Sequence, residues 1–190
     1  LLDGLGYLNN TLDIKRLTAD GIEFANGKSL TTELNIIFPN WKPHSFLKGL
    51  PISDEVGFII TDMQMRCPAF PKVFACGDAA AMTVPKLGAI GHQEAEVVGR
   101  QIAKDVGAMP AGEADKPWMP EVICIGDMGG GKAFYIHSNS WFGGDIQELQ
   151  MGYLPFAQKL AYKEVFFRNH GKVPGWGLPL AEWSAEKFRI

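Results

Sequence analysis

The alternation of apolar and polar positions begins at Asp20-Gly21, which opens a turn, and Gly21 to Phe24 reads as a strand. Asn26-Gly27 follows as a hairpin turn, because both of its central positions favour positive φ. Leu30 to Phe38 then reads as the return strand, ending in the apolar positions Leu34, Ile36, Ile37 and Phe38 and stopped by Pro39. Asn40 to Pro51 is a loop. Asp54-Glu55-Val56-Gly57 is a second turn, leading to a strand through Phe58, Ile59 and Ile60. Val73 to Cys76 is a short apolar strand, and Pro85 to Gly88 is a break. Ile90, Ala95, Val98 and Ile102 mark a helical stripe that stops near Gly107. Three prolines between Ala108 and Pro120 read as a linker. Glu121 to Ile125 is a strand, Gly126 to Gly131 a glycine-rich turn, Ala133 to His137 its hairpin partner, and Phe156 to Arg168 an amphipathic helix.

Composition changes this picture in three places. The 190 residues are 46% hydrophobic and 21% charged, the balance of a globular protein. A net charge of -3 argues against nucleic acid as a partner. Residues 151–190 nevertheless carry six Lys and Arg against three Asp and Glu, interleaved with Tyr153, Phe156, Tyr162, Phe166, Phe167, Trp176, Trp183 and Phe188. Basic plus aromatic composition fits either a segment lying on a membrane surface or an ordinary solvated helix. No run approaches the roughly 18 apolar residues of a spanning helix. Cys67, Cys76 and Cys124 are an odd number without metal-ligand spacing, so neither a disulfide scaffold nor a metal site is expected.

The chemistry concentrates at Val73-Phe74-Ala75-Cys76-Gly77-Asp78. A strand, a Gly-Asp, a gap and then a helix is a ligand-binding arrangement, since ligands of open α/β sheets lie beyond the carboxyl ends of strands. A carboxylate there accepts hydrogen bonds from sugar-type hydroxyls, and the helix start offers free N–H groups. On the residues alone, Asp78 is equally a turn-capping residue.

The segment VFACGDAAA, followed by a proline and a helix, resembles the second flavin fingerprint of the two-dinucleotide-domain flavoproteins. Pro85-Lys86-x-Gly88 is similar to the Pro-Lys-Thr-Gly of sulfide:quinone oxidoreductases, with Leu87 in place of the Thr. Val122 to Gly129 resembles their C-terminal active-site cysteine segment, and Lys159-Leu160-Ala161-Tyr162 with Phe167-Arg168 their quinone-site helix. The resemblance spans Val73 to Arg168, with its segments in the family's order.

It implies an α/β fold: the C-terminal part of a two-dinucleotide-binding-domain flavoprotein with a small α+β C-terminal domain. Residues 1–50 would end the second dinucleotide-like domain and 51–107 would return to the FAD-binding domain. After a linker at 108–120, residues 121–190 would form an active-site and membrane-association domain. The family's Gly-x-Gly-x-x-Gly fingerprint and upstream cysteine do not occur in these residues, so the chain is expected to be a C-terminal half whose partner is the missing N-terminal half. The resemblance further implies FAD as cofactor, sulfide and quinone as substrates, and a peripheral location on the cytoplasmic membrane. A type II NADH:quinone oxidoreductase, which needs no Cys124, and a catalytically silent membrane-associated module are the alternatives.

Residue by residue, the resemblance assigns Gly77, Asp78, Ala79, Lys86 and Gly88 to the flavin. Cys124 is assigned to sulfur chemistry, and Ile125, Lys159 and Tyr162 to the quinone. Taken by itself, Cys124 is equally a small buried apolar residue. Lys159 and Tyr162, three apart on one helix face, are equally a snorkelling lysine beside a packed ring. Cys76 reads as core and Cys67 as structural or exposed. His92 and Glu94 read as members of an exposed helix face.

Overall fold

A computed structural model describes residues 13–171, which fall into two compact units divided between Trp41 and Lys42. The first unit is an antiparallel sheet of β1 (Ile14–Thr18), β2 (Gly21–Phe24) and β3 (Ser29–Thr31). Its order follows the chain because each connection is a tight turn. Gly27 takes φ +83°, and the Asn26 side chain accepts the Lys28 N–H at 3.0 Å, as the Asn-Gly pair predicts. Gly21 has no substitute: a Cβ there would stand 1.9 Å from the Leu30 carbonyl oxygen. The return strand is shorter than its apolar run. It ends at Thr31, and Thr32 donates through its hydroxyl to Asn35 Oδ1 at 2.6 Å. Leu34, Ile36 and Phe38 are consequently exposed and join no strand.

The second unit opens with irregular chain packed around Leu47, Ile59, Ala75 and Ala80. The strands expected at Phe58 to Ile60 and at Val73 to Cys76 are isolated bridges: Ile59 to Ser53 and Ala80, and Phe74 to Arg66. The turn before Phe58 is as predicted in kind. Asp54 Oδ1 accepts the N–H groups of Val56, Gly57 and Phe58 at 3.0, 2.7 and 2.8 Å, so one carboxylate satisfies three donors.

Helix α1 (Gly88–Asp105) starts and stops where the break at Pro85 and Gly107 place it, and Gly107 adopts φ +75°. Its buried face is displaced from the predicted stripe. Ile90, Glu94, Val97 and Gln101 point inward, whereas Ala95 and Ile102 are exposed. The 3.6-residue repeat is intact, but two of its four positions are polar. Gln101 donates to the Ala114 carbonyl at 3.0 Å and to Asp115 Oδ1 at 2.8 Å. Its Oε1 accepts from Arg66 at 3.3 Å. Arg66 also pairs with Asp105 at 2.9 and 3.0 Å, donates to the Pro71 carbonyl, and lies 4.4 Å from the centre of the Phe74 ring.

The proline-rich segment 108–120 carries a short helix, α2 (Ala111–Ala114), held to α1 through Gln101. Trp118 donates its indole N–H to the Met63 carbonyl at 2.9 Å. The prolines interrupt helix and strand there, yet side-chain hydrogen bonds still fasten the segment.

A second antiparallel sheet follows: β4 (Val122–Gly129), β5 (Lys132–Ser138) and β6 (Gln147–Gly152), with β5 central. Gly129, Gly130 and Gly131 all have positive φ and turn β4 into β5. Gly126 lies opposite Phe134, whose ring occupies the space a Cβ would need, 2.2 Å away. Helix α3 (Tyr153–Arg168) packs on this sheet through its first turns, where Pro155 is buried. The expected amphipathic face is absent: Tyr153, Leu160, Tyr162, Phe166 and Phe167 are exposed around the helix. Among the described residues, no helix is long and apolar enough to cross a membrane.

Removing the Gln101 amide leaves the buried Ala114 carbonyl and the Arg66 guanidinium each short of a partner. Gln101→Ala is therefore expected to lower unfolding stability by about 1–3 kcal/mol, read from urea unfolding; an unchanged midpoint and slope would contradict it.

Candidate functional site

The Gly77–Ala79 segment forms one turn of 3-10 helix immediately before the loop to α1. Gly77 has φ +63°, a value open to glycine at little cost. Helix α1 comes directly against it: a Cβ on Gly91 would lie 3.3 Å from the Gly77 Cα. Asp78 is exposed at the end of the turn, and its carboxylate has no hydrogen-bond partner among the described residues. Lys86 sends its ammonium to the carbonyls of Asp78 and Ala80, at 3.0 and 2.7 Å, with the Phe58 ring centre 4.5 Å away. The N–H of Gly91 bonds the Leu87 carbonyl at 2.9 Å, while those of Gly88, Ala89 and Ile90 have no acceptor in the described residues.

Glu94 closes this site from the helix side. It is buried rather than on an exposed face, and it accepts the Gly77 N–H. Burial pushes its carboxyl above the ordinary carboxylate range and the Asp78 charge adds to this; the Gly77 hydrogen bond and the Lys86 charge act in the opposite direction. His92, by contrast, is exposed and faces Glu96 at 3.3 Å. Together Gly77, Met82, Val84, Lys86, Ile90 and Glu94 line a shallow cleft at the start of α1. Glu94 and Gly91 were the residues to find here. The signal was present in the 90, 94, 97, 101 spacing, which an apolar-only count passes over.

The cysteines separate by environment. Cys67 is buried, the first of the two readings open to it, and Cys76 is half-buried, less enclosed than a core residue. Burial, reinforced by the nearby Glu94 charge, pushes the Cys76 thiol up. Cys124 is exposed on β4, opposite Ile136 of β5, and so is not a packed core residue. Its neighbour Ile125 is half-buried on the other face, as strand alternation requires. The Ile125 carbonyl accepts from Lys159 of α3 at 2.8 Å, so two of the residues assigned to one site are brought together. Tyr162 is exposed and stacks on Phe166, with ring centres 5.9 Å apart. The Gly-Asp turn and the Cys124 strand are tied through Gln93 and Glu121. Gln93 Nε2 donates to the Glu121 carbonyl at 2.9 Å and Gln93 Oε1 accepts the Glu121 N–H at 3.0 Å. Trp176 and Trp183 lie outside the described residues.

No family model matches the chain. The fold is mixed α/β, with two three-stranded sheets, as the sequence led one to expect. Among solved structures it is similar to the sulfide:quinone oxidoreductase from the hyperthermophilic bacterium Aquifex aeolicus. The match has a TM-score of 0.70 at 20% identity and covers 90% of this chain and 44% of that one. The chain thus spans less than half the length of that protein, and the likeness at this identity is one of fold.

The three environments order the thiols by access. With an aromatic disulfide reagent under native conditions, Cys124 is expected to react first, Cys76 more slowly, and Cys67 only on unfolding. Rapid release from a Cys124→Ser variant equal to that of the unaltered chain would refute this order.

Proposed function

We propose that this chain is the C-terminal half of an FAD-dependent sulfide:quinone oxidoreductase, inactive by itself and completed by an N-terminal half. The observation that supports it most is the fold match together with the Gly-Asp turn. The Asp78 carboxylate is exposed and, among the described residues, has no hydrogen-bond partner, and neither have the first N–H groups of the helix that follows. This fits an extended ligand with hydroxyls at one end and an electron-rich ring at the other. FAD and quinone supply the two-electron carrier chemistry when bound. Within this chain, Asp78 accepts from the ribitol hydroxyls, Gly77 and Ala79 allow close approach, and Lys86 and Gly88 form the wall beside the ring.

Cys124 is the sulfur residue in this reading. It is an accessible thiol on a strand ending in glycines, where a second sulfur can approach. Sulfide would attack the Cys124 sulfur of a disulfide formed with a cysteine of the N-terminal half, so that the S–S bond breaks, a persulfide forms on Cys124 and the partner leaves as a thiolate; FAD, when bound, would supply the two-electron acceptor. Ile125, Lys159 and Tyr162 lie toward α3 and line the quinone side, with Lys159 anchored on the Ile125 carbonyl. The exposed aromatic residues of α3, with the lysines between them, would rest on the membrane surface as a peripheral contact.

Cys124→Ser keeps the size of the side chain but loses the exchangeable sulfur. In the flavin-loaded protein it is expected to abolish sulfide-dependent flavin bleaching and quinone reduction while leaving FAD bound. Near-normal sulfide turnover would remove the assignment, and NADH-dependent quinone reduction in its place would identify a type II NADH:quinone oxidoreductase.

Asp78→Ala removes a charge-assisted hydrogen bond, so FAD affinity is expected to fall by roughly tenfold or more. Flavin binding can be followed by fluorescence quenching; undiminished affinity would leave Asp78 as a turn residue.

A further inference from the structure

We propose that Glu94 and Lys86 are positioning residues, which clamp the turn at residues 77–80 from its two ends and thereby present the Asp78 carboxylate to a flavin dinucleotide. The inference rests on the reading that the flavin lies at this turn.

The backbone of the turn is held by side chains at both ends. The Gly77 N–H goes to Glu94, and the carbonyls of Asp78 and Ala80 both accept from Lys86. Inside the turn, the Ala80 N–H bonds the Gly77 carbonyl at 3.2 Å, and the Ala79 carbonyl accepts the Ile59 N–H at 2.9 Å. An acceptor holds one end and a donor the other, so the two side chains match the polarity of the groups they meet. The Asp78 side chain is exposed and makes no hydrogen bond among the described residues.

Neither clamp residue is what stability alone selects. A buried carboxylate is costly to desolvate, and an apolar side chain of similar volume usually serves a core as well or better. Glu94 instead points at the N–H of the one residue that fixes where Asp78 begins. The glycine at 91 lets α1 approach closely enough for that contact. Lys86 likewise reaches two turn carbonyls, so its ammonium is committed to the turn. A charged acceptor makes the shorter, stronger bond to an N–H, so the clamp is tightest with Glu94 ionised. The titratable groups that act with or on Glu94 are Lys86, which favours the ionised form, and Asp78, which opposes it; Cys76 lies close enough to be raised by Glu94 in turn.

The test separates the clamp from the flavin reading. The Gly77 amide is followed by NMR in the chain without flavin. In the unaltered protein its shift should titrate with a midpoint above the ordinary carboxylate range, because the Glu94 pKa is raised. The bond weakens as pH falls through that midpoint. In Glu94→Gln, which keeps an acceptor but no charge, the amide should stay protected from exchange and its shift should lose that titration. In Glu94→Leu protection should be lost. FAD affinity is then measured in the protein completed by its N-terminal half: expected is a roughly tenfold or greater loss in Glu94→Leu and in Lys86→Met. Glu94→Gln should restore near-normal affinity, with a flatter pH profile than the unaltered protein; any contribution of Asp78 is common to both. A Gly77 amide that does not titrate, or Glu94→Leu binding FAD as tightly as the unaltered protein, overturns the clamp. If Glu94→Leu does not fold, the titration in the unaltered protein against Glu94→Gln decides. If the protein completed by its N-terminal half takes up no flavin while the Gly77 amide titrates as expected, the flavin reading falls and, with it, the ligand-positioning role.

Discussion

The second unit depends on a helix whose buried face is half polar. Glu94 and Gln101 occupy two of the four inward positions of α1, and each is tied to backbone that has no regular structure of its own. Gln101 reaches the short helix at 111–114 and accepts from Arg66, which in turn gathers the loop at 66–74. Glu94 reaches the Gly-Asp turn. Irregular chain cannot satisfy its own N–H and C=O groups, so side chains from a neighbouring helix must do so. An apolar face on α1 would bury as much surface but would leave those groups unpaired.

The same helix links the two places where chemistry is concentrated. At its start, a carboxylate, an ammonium and N–H groups without an acceptor among the described residues lie beside the Gly77-Asp78-Ala79 turn. One turn further, Gln93 clasps the backbone of Glu121 in both directions, at the entry to the strand that carries Cys124. Glu121 then uses its side chain on His137 at 3.1 Å and Asn139 at 3.3 Å, and Asn139 accepts the Ile146 N–H at 2.9 Å. A chain of hydrogen bonds through named side chains therefore runs from the Gly-Asp turn into the second sheet. Such a connection sets the placement of the Gly-Asp turn relative to the strand that carries the exposed thiol.

What was legible in the sequence was local. Asn26-Gly27, the Asp54 turn, the limits of α1 and the glycine turn between β4 and β5 each rest on backbone conformations that only certain residues adopt. The Gly-Asp was visible for the same reason, since a positive φ beside a carboxylate is written in two letters. The strands β1 and β6 were not legible. They are edge strands with largely exposed or alternating polar sequences, and their existence depends on the partner strand they pair with.

The tertiary structure decided the rest. Leu34, Ile36 and Phe38 form an apolar run that reads as strand, yet pairing ends at Thr31 and they remain exposed. The apolar pattern of α1 pointed to Ala95, Val98 and Ile102, while packing chose Glu94, Val97 and Gln101, because the surrounding loops needed an acceptor and an amide more than further methyl groups. Cys67 and Cys124 are the same residue in sequence terms, and only the fold makes one buried and the other accessible. A sequence states which conformations and which chemical groups are present. Burial and hydrogen-bond partnership are properties of pairs distant along the chain, and those are set when the chain closes on itself.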